Sequence, residues 1–422
     1  MNSFLRLRHT DEYLKYDKIM PVFSGNSFLP QRAFVPISQT CNSTPTPVVS
    51  RGEYVSEGQV IAKSYNSYSA DVHAPIPGII GELLQFEGHN GKPIYSIPIK
   101  LDGKFNLLGR KVPNYPWKGT APSEMIRIIA NKGLINTAYK NISLATYIKQ
   151  KIKKSHRDFY ICLFDNDPSS GLDDFLVNNF LDNVLEGIAI ISRALDTKKL
   201  FILHKFKNKK AKELKLKLEQ VLSGIEYECF FAKHSYPFYK NKLKHVDSMF
   251  LIDPSTAINT YEAVVRDKPI ISNYVILGGH ALKTEKVFKA RLGTPIGNLL
   301  EDCGGLTFQP DYIIINGLIN GYAINNFDIP VDKTMKSIHA ISNTMFKPYE
   351  VRDCENCGRC VTVCPYNINP IEVVRRIQRN EYTKEVLRQI EICGSCNSCS
   401  CVCASRIPLS SIIKKAKEEI IK

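Results

Sequence analysis

Two cysteine runs near the end of the 422-residue chain constrain its fold more than any other feature of the sequence. Both have the spacing C-x2-C-x2-C-x3-C. The first run consists of Cys354, Cys357, Cys360 and Cys364. The second run consists of Cys393, Cys396, Cys399 and Cys403. Such regular spacing indicates that the chain around these thiols folds to present them as ligands.

Bacterial ferredoxins hold 4Fe-4S clusters with this spacing. In a two-cluster protein the first three thiolates of a run bind one cubane, and the fourth binds the other. One cluster is then predicted on Cys354, Cys357, Cys360 and Cys403. The other is predicted on Cys393, Cys396, Cys399 and Cys364. Because each cluster has four protein ligands, the pair suits one-electron relay better than catalysis at iron.

Structural zinc and disulfides are the alternatives for clustered cysteines. Zinc sites use C-x2-C pairs separated by roughly 15–20 residues, and have no use for a third cysteine after x2. The N-terminal segment has no continuous apolar region of the kind a secretory signal needs, so reduced thiols are expected. Cys401 lies outside the regular spacing, and we interpret it as a bystander, with a ligand role as the alternative.

Helical patterns separate the two runs and follow the second. Asn369 before Pro370 predicts an N-cap followed by proline at the first helical position. Apolar residues then recur at helical spacing, as they do in the closing segment IPLSSIIKKAKEEIIK. Residues 345–422 are therefore predicted to form a helical module of the ferredoxin type with two 4Fe-4S clusters.

The preceding residues predict a multidomain α+β chain with three further regions. In residues 1–115, short segments rich in valine and isoleucine alternate with glycine and proline turns, which predicts a barrel-sandwich, lipoyl-like β domain. Residues 119–240 alternate helix and strand and predict a Rossmann-like α/β domain with mainly parallel strands. Residues 246–335 alternate strands with one short helix, which fits a β-grasp module.

Two single residues in these regions invite a functional interpretation and a structural one. The hairpin segment NSYSADVHAPI has no modifiable lysine, so we expect a scaffold role there, with His73 packed or on the surface. Cys303 lies beside a glycine pair and is expected to be a small buried residue.

Acidic residues follow the strand-like segment DFYICLF in the α/β region. They are Asp165, Asp167, Asp173 and Asp174. Open α/β sheets place ligand sites after the ends of their strands, so these carboxylates are candidates for binding. Helix N-capping explains Asp173 or Asp174 equally well.

The net charge of +15, from 56 Lys and Arg against 41 Asp and Glu, suits an acidic partner or an anionic membrane surface. No helix-turn-helix, RNP or zinc-finger pattern accompanies this charge, so nucleic acid is not an expected partner. The longest apolar stretches fall short of the ~18 residues that a membrane span requires.

Taken in order, the four regions resemble the RnfC family. Its members are subunits of the Rnf complex, the ion-translocating ferredoxin:NAD oxidoreductase of bacterial membranes. VHAPIPGII resembles the barrel-sandwich motif of that family, and ARLGTPIGNLLEDCGG resembles its soluble-ligand-binding β-grasp (SLBB) domain. The double cysteine run resembles its ferredoxin module.

The resemblance implies a peripheral subunit on the cytoplasmic face of the bacterial inner membrane. Such a subunit is part of a translocase and relays electrons between a nicotinamide or flavin site and the membrane-embedded subunits. An acidic ferredoxin- or flavodoxin-type carrier would suit the positive charge.

The sequence departs from that family at the flavin site. Family members have a glycine-rich loop ending in G-G-A-G-F-P-T, a backbone cradle for FMN and nucleotide phosphate. Here the stretch NKGLINTAYKNISLATYIKQK keeps only Gly133. The next family motif, E-C-E-P-Y-I-T-A-D-D, becomes DNDPSSGLDD, in which Asp165 and Asp167 are shortened candidate ligands for FMN or NADH.

Two hypotheses follow. In the first, the altered loop still binds flavin, and the chain is the NADH-reactive subunit of the complex. In the second, the chain is an electron-transfer adaptor or scaffold with no flavin or NADH site of its own. The lost glycines favour the second hypothesis, and the retained acids favour the first.

Overall fold

The computed structural model describes most of the chain. The described ranges are residues 21–40, 44–66, 68–87, 93–108, 113–138, 141–155, 157–205, 209–232, 249–324, 326–342 and 350–420. Four sets of elements fold within them.

Two antiparallel sheets enclose the first core. The larger sheet has the order β2-β9-β7-β4, with β8 also paired to β9. Its strands are β2 (Arg32–Pro36), β4 (Tyr54–Val55), β7 (Gly78–Ile80), β8 (Leu84–Glu87) and β9 (Pro93–Leu101). The smaller sheet consists of β3 (Thr46–Pro47), β5 (Val60–Lys63) and β6 (Val72–His73). Inward-facing side chains such as Val35, Ile61 and Ile99 are fully buried between them, as alternation along strands requires.

A four-stranded parallel sheet forms the second unit, as predicted. Its order is β14-β13-β12-β15, and every neighbouring pair is parallel. The strands are β12 (Asp158–Cys162), β13 (Lys199–Lys205), β14 (Glu226–Ala232) and β15 (Phe250–Ile252). A small antiparallel pair, β10 (Ile135–Asn136) and β11 (Ile142–Ser143), lies ahead of them in the chain.

Helices accompany this sheet. They are α1 (Pro122–Asn131), α2 (Leu144–Lys153), α3 (Leu172–Asn179), α4 (Leu181–Leu195), α5 (Lys209–Val221) and α6 (Pro254–Val264). Helices α4 and α6 pack very closely, because a Cβ on Gly187 would lie 1.9 Å from the carbonyl oxygen of Ala257. In the part of the chain that the structure describes, no single helix is long and apolar enough to cross a membrane. Together α3 and α4 have sufficient length and apolar character, but they meet at a bend of 101°.

A mixed six-stranded sheet follows, with the order β1-β17-β16-β20-β18-β19. Its strands are β1 (Val22–Asn26), β16 (Ser272–Gly278), β17 (Lys286–Arg291), β18 (Tyr312–Ile315), β19 (Tyr322–Ile324) and β20 (Ser337–Ile341). Helix α7 (Ile296–Asp302) connects two of its strands. Cys303 ends this helix and is completely buried, as expected.

Three strands cross the boundaries predicted from the sequence. Strand β1 pairs with β17 of the mixed sheet, although residues 1–115 are predicted as the first domain. Strand β15 pairs with β12 of the parallel sheet, although the predicted boundary is residue 246. Strand β20 lies beyond the predicted limit of residue 335. The sheet that each of these strands joins is determined by pairing with a strand far away in the chain. Local sequence patterns do not predict such pairing.

The C-terminal residues are helical, as predicted. The helices are α8 (Arg359–Thr362), α9 (Pro370–Gln378), α10 (Lys384–Ile392), α11 (Ser398–Cys401) and α12 (Leu409–Ile420). Asn369 caps α9, since its side chain accepts a hydrogen bond from the backbone N–H of Glu372 at 3.2 Å. Val374, Val386 and Ile390 are buried in a small separate core, which confirms the predicted apolar stripes.

Candidate functional site

The first group of thiols draws on both cysteine runs. Cys354 and Cys357 precede α8, Cys360 lies within it, and Cys403 follows α11. Cys360 is buried, Cys354 and Cys403 are half-buried, and Cys357 is exposed. Burial raises the pKa of the Cys360 thiol, and the negative charges of Cys403 and Cys354 raise it further. The fold therefore brings Cys403 of the second run beside the first run.

The second group of thiols also combines the two runs, with Cys364 of the first run beside cysteines of the second. Cys393, Cys396 and Cys399 are buried, and Cys364 is half-buried. Burial raises the pKa of the Cys399 thiol, with further increases from Cys396, Cys393 and Cys364. Burial also raises the pKa of Cys364, and Cys396 and Cys393 add to it. Cys364 of the first run thus lies among the first three cysteines of the second.

Backbone N–H groups lie near the sulfurs. For Cys360, hydrogen bonds from the backbone of Ile371 and Val361 oppose the increase in pKa that burial causes. For Cys364, the backbone of Ile368 and Tyr366 has the same effect. Such bonds favour the thiolate form, and hydrogen bonds to sulfur are one of the means by which proteins tune iron–sulfur clusters. Four cysteines in each group, supplemented by these donors, fit a 4Fe-4S cubane.

Cys401 lies beside the second group. It packs with Ile319 and Cys396, and burial, followed by the charges of Asp167 and Cys396, raises its pKa to about 12. None of the twelve cysteines in the described ranges takes part in a disulfide. Within those same ranges, no three His, Cys, Asp or Glu side chains gather as ligands of a single metal ion would.

The carboxylate of Asp165 caps a helix. It is 1% exposed, and its two oxygens accept the backbone N–H groups of Asp173 at 3.0 Å and Asp174 at 3.2 Å. Burial, with the charges of Asp173 and Asp174, raises the pKa of Asp165 to about 7. The predicted N-capping by Asp173 or Asp174 is wrong, because Gly171 occupies the N-cap position and Asp165 supplies the capping oxygens.

Asp167 is also occupied by contacts within the chain. One oxygen accepts bonds from Ser169, from its N–H at 3.0 Å and its hydroxyl at 2.6 Å. The other accepts the backbone N–H groups of Ile319 at 2.9 Å and Asn320 at 2.8 Å. At 4% exposure, the carboxylate is sealed by these partners.

Lys336 neutralises the remaining acids at this edge of the parallel sheet. Its ammonium nitrogen lies 2.6 Å from Asp173 and 2.7 Å from Asp253. Burial opposes the charge, but Asp173, Asp253 and Asp165 together raise the pKa of Lys336. Asp174 pairs with Lys205 at 2.8 Å. Sequence inspection missed Lys336, because nothing in its local pattern links it to acids so far away in the chain.

Gly133 has a packing role. Its φ is +71°, and a Cβ there would lie 2.4 Å from the carbonyl oxygen of Asp71 and 3.1 Å from the ring of His73. His73 is buried, as one of the two expected outcomes, and its Nε2 lies 3.0 Å from the carbonyl oxygen of Asn131. The glycine therefore serves the contact with the first domain.

These residues do not fit a flavin. A phosphate cradle needs free backbone N–H groups close to glycines, whereas Gly133 is packed against another segment. Acids that bind a ligand need free oxygens, whereas the carboxylate oxygens of Asp165 and Asp167 accept hydrogen bonds from backbone N–H groups. Residues 139–140 of the altered loop lie outside the described residues.

Comparison with known proteins agrees with this architecture. Residues 21–104 match the RnfC Barrel sandwich hybrid domain family. The C subunit of the ion-translocating oxidoreductase complex of Rhodobacter capsulatus is 26% identical over 372 residues, which cover 84% of this chain and 71% of the relative. The C subunit of the proton-translocating ferredoxin:NAD(+) oxidoreductase complex of Clostridium ljungdahlii is 25% identical over 385 residues, covering 88% of this chain and 83% of the relative.

Among solved structures, an NAD+-reducing NiFe hydrogenase in the H2-reduced state has a similar fold. The TM-score is 0.50 at 12% identity, and the match covers 72% of this chain and 65% of that chain. The family resemblance predicted from the sequence is confirmed: residues 21–104 match the RnfC barrel sandwich hybrid domain, and most of the chain is similar to C subunits of ion-translocating oxidoreductase complexes.

Proposed function

We propose that this chain is an electron-relay subunit of an Rnf-like ion-translocating oxidoreductase complex. It would hold two 4Fe-4S clusters in the helical module of residues 345–422. The first would be bound by Cys354, Cys357, Cys360 and Cys403. The second would be bound by Cys393, Cys396, Cys399 and Cys364. Such clusters accept and release one electron each.

The exchange of Cys403 and Cys364 between the two runs carries this proposal. Each of these cysteines lies with the other run's thiols, as the crossing rule of two-cluster ferredoxins demands. A pair of independent zinc sites would have no reason to exchange its fourth cysteines. The helices between the runs stack the two groups within one small core, which favours transfer between them.

The two groups differ in access to solvent. Cys357 of the first group is exposed, whereas three of the four thiols of the second are buried. The first group is therefore placed to exchange electrons with an external partner. The second is placed to exchange electrons with the first.

We favour the adaptor hypothesis over the NADH-reactive one. Asp165 holds the N-terminus of α3, Asp167 holds backbone groups of a loop, and Lys336 neutralises the acids beside them. This edge of the α/β domain then has a structural role. Its residues would support the cluster module without taking a hydride from a nicotinamide.

The proposed partners are the membrane-embedded and other subunits of the complex. Peripheral attachment at the cytoplasmic face of the bacterial inner membrane would bring the exposed Cys357 region to them. An acidic ferredoxin- or flavodoxin-type carrier would complement the net charge of +15. Transport of the ion would belong to the membrane-embedded partners.

Cofactor analysis of anaerobically purified protein tests this function. We expect about eight irons per chain with matching sulfide, as two cubanes require. We also expect no flavin after incubation with excess FMN and gel filtration. Stoichiometric FMN would restore the NADH-reactive alternative, and zinc in place of iron would contradict the relay itself.

A further inference from the structure

A short loop connects the α/β domain to the second thiol group. Residues 317–321 follow strand β18, with Asp167 on one side and the cysteine-bearing segment on the other. The sequence predicts Asp167 as a degenerate cofactor ligand, yet the hydrogen bonds of its carboxylate in the described chain come from this loop and from Ser169. These contacts indicate that Asp167 acts on the loop of residues 317–321.

Hydrogen bonds favour the ionised form of the Asp167 carboxylate, although burial raises its pKa. It accepts four hydrogen bonds, two from Ser169 and one each from the N–H groups of Ile319 and Asn320. Three of these partners are backbone N–H groups, which can only donate and therefore favour the ionised form. The hydroxyl of Ser169 also accepts the N–H of Leu318 at 2.7 Å, so three successive N–H groups of the loop converge on this acid and its neighbour.

Glycine makes this approach possible. Gly317 has a φ of +100°, and a Cβ there would lie 2.2 Å from Cγ of Asp167. Gly321 closes the loop with an N–H bond of 3.0 Å to the carbonyl oxygen of Gly317. A Cβ on Gly321 would lie 2.0 Å from that same oxygen. The loop conformation is therefore fixed on both sides.

The far side of the loop meets the second thiol group. The side chain of Ile319 is 2% exposed and packs on Cys396. Its carbonyl oxygen accepts a hydrogen bond of 2.7 Å from the side chain of Asn397. Asn397 has a φ of +61° and starts helix α11, so this bond holds the turn between Cys396 and Cys399.

The first thiol group has a neighbour of opposite charge. The N–H of Asn356 approaches Sγ of Cys354 at 3.4 Å, and the Asn356 side chain accepts a bond of 2.8 Å from the guanidinium of Arg375. The guanidinium of Arg375 is thus linked to the first group and the carboxylate of Asp167 to the second, where the ammonium of Lys417 also donates to the carbonyl oxygen of Cys393 at 3.0 Å. Nearby net charge is one of the factors that set cluster potentials, and negative charge stabilises the oxidised form.

We propose that Asp167 is a positioning residue for the second cluster and lowers the reduction potential of that cluster. Through Leu318, Ile319 and Asn320 it seats the loop against Cys396 and Asn397. Its buried charge acts on that cluster because burial limits screening by water and salt. The inference rests on the proposed two-cluster function.

Three variants separate charge from positioning in the complete, cluster-loaded chain. Asp167→Asn removes the charge and replaces an accepting oxygen with a donor. Ser169→Ala keeps the charge and removes the hydroxyl that bonds Asp167 and Leu318. Asp182→Asn is the matched control, since Asp182 is an exposed acid that pairs with Lys217. Each protein is titrated by EPR between oxidised and reduced forms, and hydrogen exchange of residues 317–321 is followed in parallel.

We expect Asp167→Asn to favour reduction of one cluster by roughly tenfold, which is about 59 mV for one electron. The reduction potential of the other cluster should be unchanged. Cys357→Ser damages the first site, so the EPR signal that this variant loses is assigned to the first cluster. Hydrogen exchange of the loop should accelerate in both Asp167→Asn and Ser169→Ala, with the potential moving in the former alone. The control should change neither quantity.

Two unshifted potentials and unchanged loop protection in Asp167→Asn would overturn this inference and leave the relay function intact. Equal shifts in Asp167→Asn and Asp182→Asn would also overturn it, because overall charge would then be the cause. A wild-type chain without two EPR-active clusters would overturn the proposed function instead.

Discussion

The ammonium nitrogen of Lys336 lies 2.6 Å from Oδ2 of Asp173, whose side chain is 1% exposed, while that of Lys336 is 13% exposed. Asp253 approaches the same nitrogen at 2.7 Å. In Lys336→Met these carboxylates lose their cation, and breaking a buried pair in this way costs about 3–5 kcal/mol. We therefore expect that loss in the free energy of unfolding, measured by urea denaturation.

A matched control for this variant is Lys217→Met. Lys217 pairs with the exposed Asp182, and exposed pairs contribute about 0–1 kcal/mol. Equal effects of the two substitutions would show that the buried cluster does not stabilise the fold.

Substitution of single cysteines should separate ligands from bystanders. Cys403→Ser and Cys364→Ser should each remove about one cluster, or roughly four irons per chain, because each supplies the fourth corner of a cubane. Cys401→Ser should retain the full iron content, and Cys303→Ser should too, since Cys303 lies beside the mixed sheet. Iron and acid-labile sulfide are measured on proteins reconstituted side by side. Loss of iron in Cys401→Ser would make Cys401 a ligand.

Gly317 should tolerate no side chain. Gly317→Ala forces a Cβ against Asp167 and adopts a φ of +100°, so we expect a loss of roughly 3 kcal/mol or more from crowding and backbone strain together. Gly224→Ala is the control, since Gly224 has a φ of +73° with nothing within 4 Å of its added Cβ. Only the backbone strain of about 1–2 kcal/mol should appear there. Similar losses in both variants would argue against the close contact with Asp167.

The stability that His73 contributes should fall as the pH falls from about 6.5 towards 3, whereas Asp165, whose pKa burial raises to about 7, contributes in the opposite direction. Burial, with the charge of Lys333 next, lowers the pKa of His73 from 6.5 to about 3. In this window the unfolded chain binds a proton at His73 and the folded chain does not, so acid favours unfolding. Lys333 adds no slope there, because burial lowers its pKa only to about 7 and it is protonated in both states below that.

His73→Gln removes this contribution, so its thermal midpoint should fall less, or rise more, than that of the wild type as the pH is lowered through this range. His339 contributes in the same direction, because burial lowers its pKa to about 4. The double variant with His339→Gln should therefore differ from the wild type still more. The same change of the thermal midpoint with pH in the double variant and in the wild type would exclude the two histidines as contributors.

Local chemistry explains what the sequence could predict. Asn369 followed by Pro370 specifies the start of a helix, and the structure has α9 at that position. Leu214 and Leu218 recur at helical spacing in a lysine-rich segment, and both are completely buried in α5. The grouping of Cys403 with the first run follows from ligand arithmetic, which depends on spacing alone.

The features that the sequence could not predict depend on pairing between residues far apart in the chain. Strand β1 joins β17 although more than half of the chain separates them, and no pattern in VFSGN selects that partner. Lys336 meets Asp173 for the same reason. A motif marks Asp165 and Asp167 as cofactor ligands, but it does not say which backbone groups will take the carboxylate oxygens. For Asp167 that depends on where the loop of residues 317–321 is placed.

The proposed passage of single electrons between two clusters is tested most directly by an anaerobic reductive titration followed by EPR. We predict that each chain takes up two electrons in two one-electron steps, with the signal of a spin-coupled pair at full reduction and no flavin radical. Uptake of fewer than one electron per chain, or a flavin signal in place of a second cluster, would contradict this function.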